Sequence, residues 1–353
     1  MTRPPVVLGI DFGASKIAVA ASGTDGVRLA SATVRTRAEL GARAALDRGI
    51  AAARGLLDGA AGGRELVAVG VSTVGIPFDD RVELAPTIPG WGGLALGREL
   101  RAAFGGAEIR LATDVKAATQ AEARWGALAG CDPAVYLNLG TGLAAGVVAG
   151  GRVLAGRHGA AGEIGYNLRA VTDVGTRPGE RALLEHMVSG QALARRARGT
   201  AGRGVDAGAV FQASGADGAL RDLVDEFVRE LAFHLVNLAI LVDPQRIAVG
   251  GGLVRSWARL RPGLDRALAA GVPFPPELVL ADFPFDAPLM GALALAVEAA
   301  GHRDGAAARA PAGTGGTHTQ APAGSSDARP ARSTQSAGAS TLAAGVSTEG
   351  LPQ

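Results

Sequence analysis

Cysteine is nearly missing: Cys131 stands alone among 353 residues. Without a second thiol, neither an internal disulfide nor a thiolate metal cluster can be assembled, and a reducing compartment is the plain expectation. Aromatic side chains make up only 4% of the chain, so a core must be built mainly from Ala, Val and Leu. Lysine is scarce as well, with Lys16 and Lys116 the sole representatives beside many arginines. Such a bias usually follows genomic base composition; a lysine kept against it hints that a compact ammonium is wanted there, although chance retention explains Lys116 equally well. Excess charge is also lacking. The net charge is +2, and no Lys/Arg run tracks a phosphate backbone, so nucleic acid is not an expected partner. No apolar run approaches the length of a membrane span, and the five residues before the first apolar strand form no basic-then-apolar leader. A cytoplasmic protein with no membrane partner is expected.

What the chain does have is length for about two domains and 48% hydrophobic residues. Apolar runs predict strands over 6–10, 17–22 and 27–34, a helix over 38–57 and a strand over 66–71. A long Gly/Pro-rich segment follows at 72–93, of the kind that usually carries function. Helix 94–104, strand 108–111 and helix 114–128, with Thr113 as N-cap, come next. A hairpin over 134–154 then repeats the opening meander. Helices are predicted over 181–188, 190–198 and 217–241, a strand over 246–249, a helix from about residue 256, a strand over 278–280 and a last helix over 288–300. Strand, strand, strand, helix, strand thus occurs twice, with a glycine turn after the first strand of each set. That repeat predicts an α/β fold of two similar lobes facing a cleft, 1–114 (completed by the last helix) and 115–287. From Gly301 the composition turns to Ala, Gly, Pro, Ser and Thr, which predicts a disordered tail over 301–353.

Three glycine turns and a few carboxylates carry the chemistry. In Asp11-Phe-Gly-Ala-Ser-Lys16, Gly13 and Ala14 free backbone amides, Ser15 and Lys16 add donors, and Asp11 could hold a hydrated Mg²⁺; an ordinary hairpin turn is the plainer alternative. Gly140-Thr-Gly142, between two apolar strands, offers a second nest of amides for an anion, with the Thr141 hydroxyl as a further donor. Glu163 follows among small residues, where backbone can approach a ligand closely. Asp114 opens a helix, whose positive end favours its ionised form; it could take a proton from a substrate hydroxyl, or simply cap the helix. Gly250-Gly-Gly252 could rest a flat ligand against bare backbone, as could Gly291, though glycine triplets more often mark a loop.

Together these motifs, Gly9-Ile-Asp-Phe-Gly-Ala-Ser-Lys16, Thr113-Asp114, Leu139-Gly-Thr-Gly142, His158-Gly-Ala-Ala-Gly-Glu-Ile-Gly165 and Asp243-Pro…Val249-Gly-Gly-Gly252, resemble the ROK family in order and spacing. These are sugar kinases and sugar-responsive repressors on the actin-like ATPase (ribonuclease H-like) fold. The resemblance spans about residues 6–300. It implies ATP and Mg²⁺ as cofactors, with Asp11 and the first glycine turn serving Mg²⁺ and phosphate, Gly140 to Gly142 a second phosphate loop, and Gly250 to Gly252 bordering adenosine. It implies Asp114 as catalytic base, Glu163 and Glu185 as sugar-binding carboxylates, a hexose as substrate, and a homodimer. The loop Pro86-Thr-Ile-Pro-Gly-Trp91 resembles the family's sugar-side loop.

The chain also departs from that pattern. Thr113 and Thr87 stand where the family usually has Asn, and Tyr166 where it has a zinc-binding His. The three cysteines that complete the zinc site are replaced within 172–183, so no zinc is expected, and segment 166–185 must be held by packing. The resemblance therefore implies a glucokinase-like hexose kinase with Asp114 as base and Thr87, Thr113, Glu163, Tyr166 and Glu185 around the sugar. The alternative is a non-catalytic sugar sensor, without a DNA-binding domain because so few residues precede the first strand.

Overall fold

Val6–Phe12 forms strand β1, and every one of its seven residues is buried. A strand with no polar face must be covered on both sides, and here it is. The computed structural model describes residues 3–201 and 205–309. β1 pairs antiparallel with β2 (Lys16–Gly23), which pairs antiparallel with β3 (Arg28–Arg35). Helix α1 (Gly41–Leu56) crosses back to β4 (Leu66–Thr73), which joins β1 in parallel. A short hairpin of β5 (Ile76–Pro77) and β6 (Val82–Glu83) leads to α2 (Leu96–Ala103) and to β7 (Glu108–Thr113), parallel to β4. The first sheet thus has the order β3-β2-β1-β4-β7.

After α3 (Asp114–Trp125) the pattern repeats. β8 (Ala134–Leu139), β9 (Leu143–Ala149) and β10 (Arg152–Val153) form an antiparallel meander. Helices α4 (Gly190–Arg196), α5 (Arg198–Ala201), α6 (Ala207–Ala213) and α7 (Gly218–Val242) lead to β11 (Arg246–Gly250), parallel to β8. Helix α8 (Trp257–Gly271) and β12 (Glu277–Leu280) finish the second sheet, ordered β10-β9-β8-β11-β12. The two orders are the same topology, so the repeat expected from sequence is present and the fold is a two-lobed α/β one.

The last helix, α9 (Ala287–Arg309), lies between the sheets together with α3. Close approach is bought by glycine. A Cβ at Gly70 of β4 would overlap the Ala292 carbonyl of α9, and one at Gly146 of β9 would overlap the Thr119 hydroxyl of α3. Both helices therefore sit directly on backbone. At the far end of α3 the buried Glu122 carboxylate accepts from the backbone N–H groups of Ala127 (2.8 Å), Phe283 (2.8 Å) and Asp282 (3.1 Å), tying α3 to the loop that enters α9.

The β5–β6 hairpin falls inside the segment read as irregular, 72–93, and other elements also differ from the sequence reading. The helix expected over 181–188 is a single 3-10 turn, Leu184–His186, because Arg181 reaches back to carbonyls fifteen residues upstream instead of continuing a helix. α6 was not expected; Asp206 creates it by accepting from the Ala209 N–H as N-cap. α9 runs to Arg309, past the composition change at Gly301, since Ala and Arg at 306–309 are good helix formers once a helix is nucleated. The rest of the expected tail, 310–353, lies outside the described residues.

Candidate active site

The end of β7 delivers Thr113 and Asp114 to the start of α3. Thr113 caps the helix: its hydroxyl accepts from the Lys116 N–H at 3.3 Å. The Asp114 carboxylate accepts from the Val115 N–H at 2.8 Å. Burial raises the Asp114 pKa, opposed by that N–H and by the Lys116 charge. A carboxyl group with a raised pKa is a better proton acceptor once ionised. Thr113 is therefore both a cap and part of the wall around Asp114.

Glu163, Tyr166 and Glu185 come together beside it. Glu163 is held above the usual carboxylate range by burial, with Lys116 pulling it down and Asp114 and Glu185 pushing it up. Burial also raises Tyr166, assisted by the charges of Glu185 and Glu163. Lys116, on the first turn of α3, has its ammonium 4.0 Å from the Glu163 carboxylate.

Segment 166–185 is held by more than packing. Leu184 is fully buried, but the Arg181 guanidinium also donates to the carbonyls of Tyr166 (2.6 Å) and Asn167 (3.2 Å), and Arg169 pairs with Glu230 of α7 at 3.0 Å. These arginine braces were not readable from sequence, because their partners are distant or are backbone. Among the described residues no group of three His, Cys, Asp or Glu side chains is placed to hold a metal.

The Gly140–Gly142 turn joins these acids to a second feature. A Cβ on Gly142 would sit 3.0 Å from a Glu185 carboxylate oxygen, so that carboxylate packs against the turn. On the other side Gly140 and Thr141 line a cleft of about 350 Å³ with Gly190, Asp206, Gly252 and Arg255. Gly190 donates its N–H to the Gly140 carbonyl at 2.9 Å. Gly190, Asp206 and Arg255 were missed from sequence; Ser189, an N-cap placed just before a glycine, was the available signal.

The three glycines at 250–252 divide their work. Gly250 faces the Tyr136 ring, Gly251 makes a left-handed turn (φ +90°) over the end of β8, and Gly252 lines the cleft. Gly291, expected to border a nucleotide, is packed against α3. It is buried, and a Cβ there would overlap the Ala117 carbonyl of α3; it is a helix-packing glycine.

The first glycine turn closes on itself. Gly13 donates to the Lys16 carbonyl at 3.0 Å, and the Thr36 hydroxyl donates to the Gly13 carbonyl at 2.6 Å. Ala14 is half-buried, while Ser15 and Lys16 are exposed. Asp11 is buried behind the turn and accepts from the Ser72 hydroxyl at 2.8 Å. Burial pushes its pKa up to about 7, with Asp114 adding to the rise and Ser72 and Lys16 opposing it. Thr87 is exposed on the loop before α2, whose anchor is the buried Trp91; the Trp91 indole N–H donates to Thr73 at 3.0 Å.

Asp11 suits a hydrated Mg²⁺ in one respect. Its buried carboxylate has a single hydroxyl partner and no adjacent buried cation, and Mg²⁺ is commonly held by one or two carboxylates with water and phosphate completing the shell.

The chain is similar to known proteins over much of its length. The kanosamine kinase of Amycolatopsis mediterranei is 31% identical over 270 residues, 75% of this chain and 86% of that one. The bifunctional enzyme NanE/NanK of Brucella melitensis is 33% identical over 202 residues, 57% of this chain; the match spans only 37% of that relative's length. The ROK family glucokinase from Streptomyces griseus, solved with glucose and AMPPNP, has a TM-score of 0.67 at 29% identity, over 83% of this chain and 99% of that one. The model of the ROK family matches residues 7–299, and the chain belongs to that family.

Proposed function

We propose that the chain is an ATP-dependent hexose kinase of glucokinase type, which moves the γ-phosphoryl group directly to a sugar hydroxyl. One observation supports this reading: the Gly140–Gly142 turn borders a cleft of nucleotide size on one side and is backed by the Glu185 carboxylate on the other. A phosphate chain lying along that turn would point its end toward Asp114.

In this reading ATP lies in the cleft of Gly140, Thr141, Gly190 and Gly252, where backbone N–H groups meet the phosphates. The hexose lies among Asp114, Glu163, Glu185, Tyr166 and Thr113, with Thr87 on the loop that approaches it. Asp114 accepts the proton of the attacking hydroxyl as the oxygen–phosphorus bond forms and ADP leaves. Asp11 would hold Mg²⁺ through water, and the ion would neutralise charge on the phosphates when bound. The lobes, taken as 1–114 with the last helix and 115–287, close to exclude water. A homodimer belongs to the same proposal; the exposed Phe233, Ile240 and Leu241 of α7 support it as an apolar face.

A coupled ADP-release assay tests the reading against glucose, mannose, fructose, N-acetylmannosamine and kanosamine. At least one sugar is expected to drive ADP formation above the sugar-free rate. Sugar binding by calorimetry with no phosphorylated product from any of them would instead favour the sensor.

The pH dependence follows from the carboxyl groups. Both Asp11 and Asp114 are raised, Asp11 to about 7, so each takes up its proton at a higher pH than a free carboxyl does. Mg²⁺ bound at Asp11 would lower that group's value, so the metal-loaded profile reports Asp114, and kcat/KM should begin to fall at a pH above the ordinary carboxylate range. A profile that stays flat down to the ordinary carboxylate range, about 4, would contradict this assignment.

A further inference from the structure

Lys116 is the most unusual side chain near the site. It is 7% exposed, and its ammonium has no hydrogen-bond partner among the described residues. The Glu163 carboxylate at 4.0 Å is its salt-bridge partner, too far for a hydrogen bond. An ammonium carries three donors, and taking them out of water without partners is expensive. The other lysine, Lys16, is exposed at the start of β2. Folding alone gives no reason for Lys116, because an apolar side chain of the same length would fill its place at less cost.

Its surroundings give the reason. The ammonium stands one helical turn into α3, two residues after Asp114, and its nearest anion is one of the acceptor-side carboxylates. Asp114 and Glu185 both act against the charge of Glu163 here, and Lys116 opposes Asp114 and Glu163.

We propose that Lys116 is a specificity-determining residue of the acceptor pocket: its ammonium donates to a hydroxyl oxygen of a neutral hexose that the neighbouring Glu163 carboxylate also binds. This rests on the hexose kinase reading. The sugar oxygen supplies the partner that the protein withholds, and binding closes the 4.0 Å gap to Glu163 into a bridged contact. Burial lowers the Lys116 pKa and the two nearby acids raise it, so the charged form depends on these neighbours.

The experiment compares wild type with Lys116→Met, and with Lys116→Gln in case the first does not fold, using the hexose that wild type turns over best. KM for the hexose should rise about tenfold or more, the loss expected for a charge-assisted hydrogen bond. KM for ATP should stay within about twofold, which separates a hexose contact from a general loss of structure. Glu163→Gln combined with Lys116→Met should raise the hexose KM by less than the product of the two single effects. An unchanged hexose KM, independent effects of the two substitutions, or hexose and ATP KM rising together with a lower melting temperature would overturn the proposal. If wild type phosphorylates no hexose, the kinase reading falls and this inference with it; if wild type is active and Lys116→Met leaves the hexose KM unmoved, only the role of Lys116 falls.

Discussion

Asp114→Asn is expected to lower kcat for hexose-dependent ADP formation by roughly 10²- to 10⁴-fold, the usual worth of a general base. Asparagine has the same shape and can still accept from the Val115 N–H that Asp114 uses now. It cannot accept the hydroxyl proton. ATP binding should be retained, since the nucleotide cleft is built from Gly140, Thr141, Gly190 and Gly252. Stability should hold or rise, because burial already disfavours the charged form of Asp114. A large loss of activity with stability retained separates a base from a mere cap, because Asn keeps the capping hydrogen bond and the exchange of one cap for the other would lose neither. Robust turnover by the variant, measured against a fully folded control, would remove Asp114 from the chemistry.

The second large effect is on folding. Gly291→Ala places a methyl group into the Ala117 carbonyl of α3. Backbone cannot rotate away as a side chain can, so α9 and α3 must separate along their whole contact. α9 also lies on β1 and β4, where Gly70 leaves no room for it to shift toward the first sheet. Overpacking at such a crossing should cost about 3 kcal/mol or more. Equilibrium urea unfolding checks this directly, because a change in midpoint without a change in slope reports stability alone. If Gly291→Ala unfolds like wild type but binds ATP weakly, Gly291 is a nucleotide contact after all.

These two residues show what was legible in the sequence. Asp114 was found because a carboxylate at the start of a predicted helix has a local signature, and the structure puts it beside Glu163 and Lys116. The duplicated sheet was legible for a similar reason: apolar runs and glycine turns are local, and their order repeats. The α3 contact of Gly291 was not legible because a glycine that admits a helix and a glycine that admits a ligand look identical in one dimension. Both mark a backbone approached closely, and only the fold says by what. Arg181 and Arg255 were invisible because arginine is the default cation of this chain, and their partners lie far away in sequence or have no side chain at all. The 3-10 turn at Leu184–His186 was taken for a helix since apolar spacing is all that a short segment displays, whereas the bonds from Arg181 decide its path. Lys116 stood out only by rarity. Its burial and its missing partners became visible once α3 was packed against α9.

The central claim is that Asp114 faces both the acceptor hydroxyl and the end of the phosphate chain. A crystal structure with the preferred hexose and a non-hydrolysable ATP analogue measures this. The account predicts a sugar hydroxyl within hydrogen-bond reach of the Asp114 carboxylate, about 2.6–3.2 Å, and in line with the γ-phosphorus. A sugar bound elsewhere, or an Asp114 carboxylate turned away from both substrates, would contradict it.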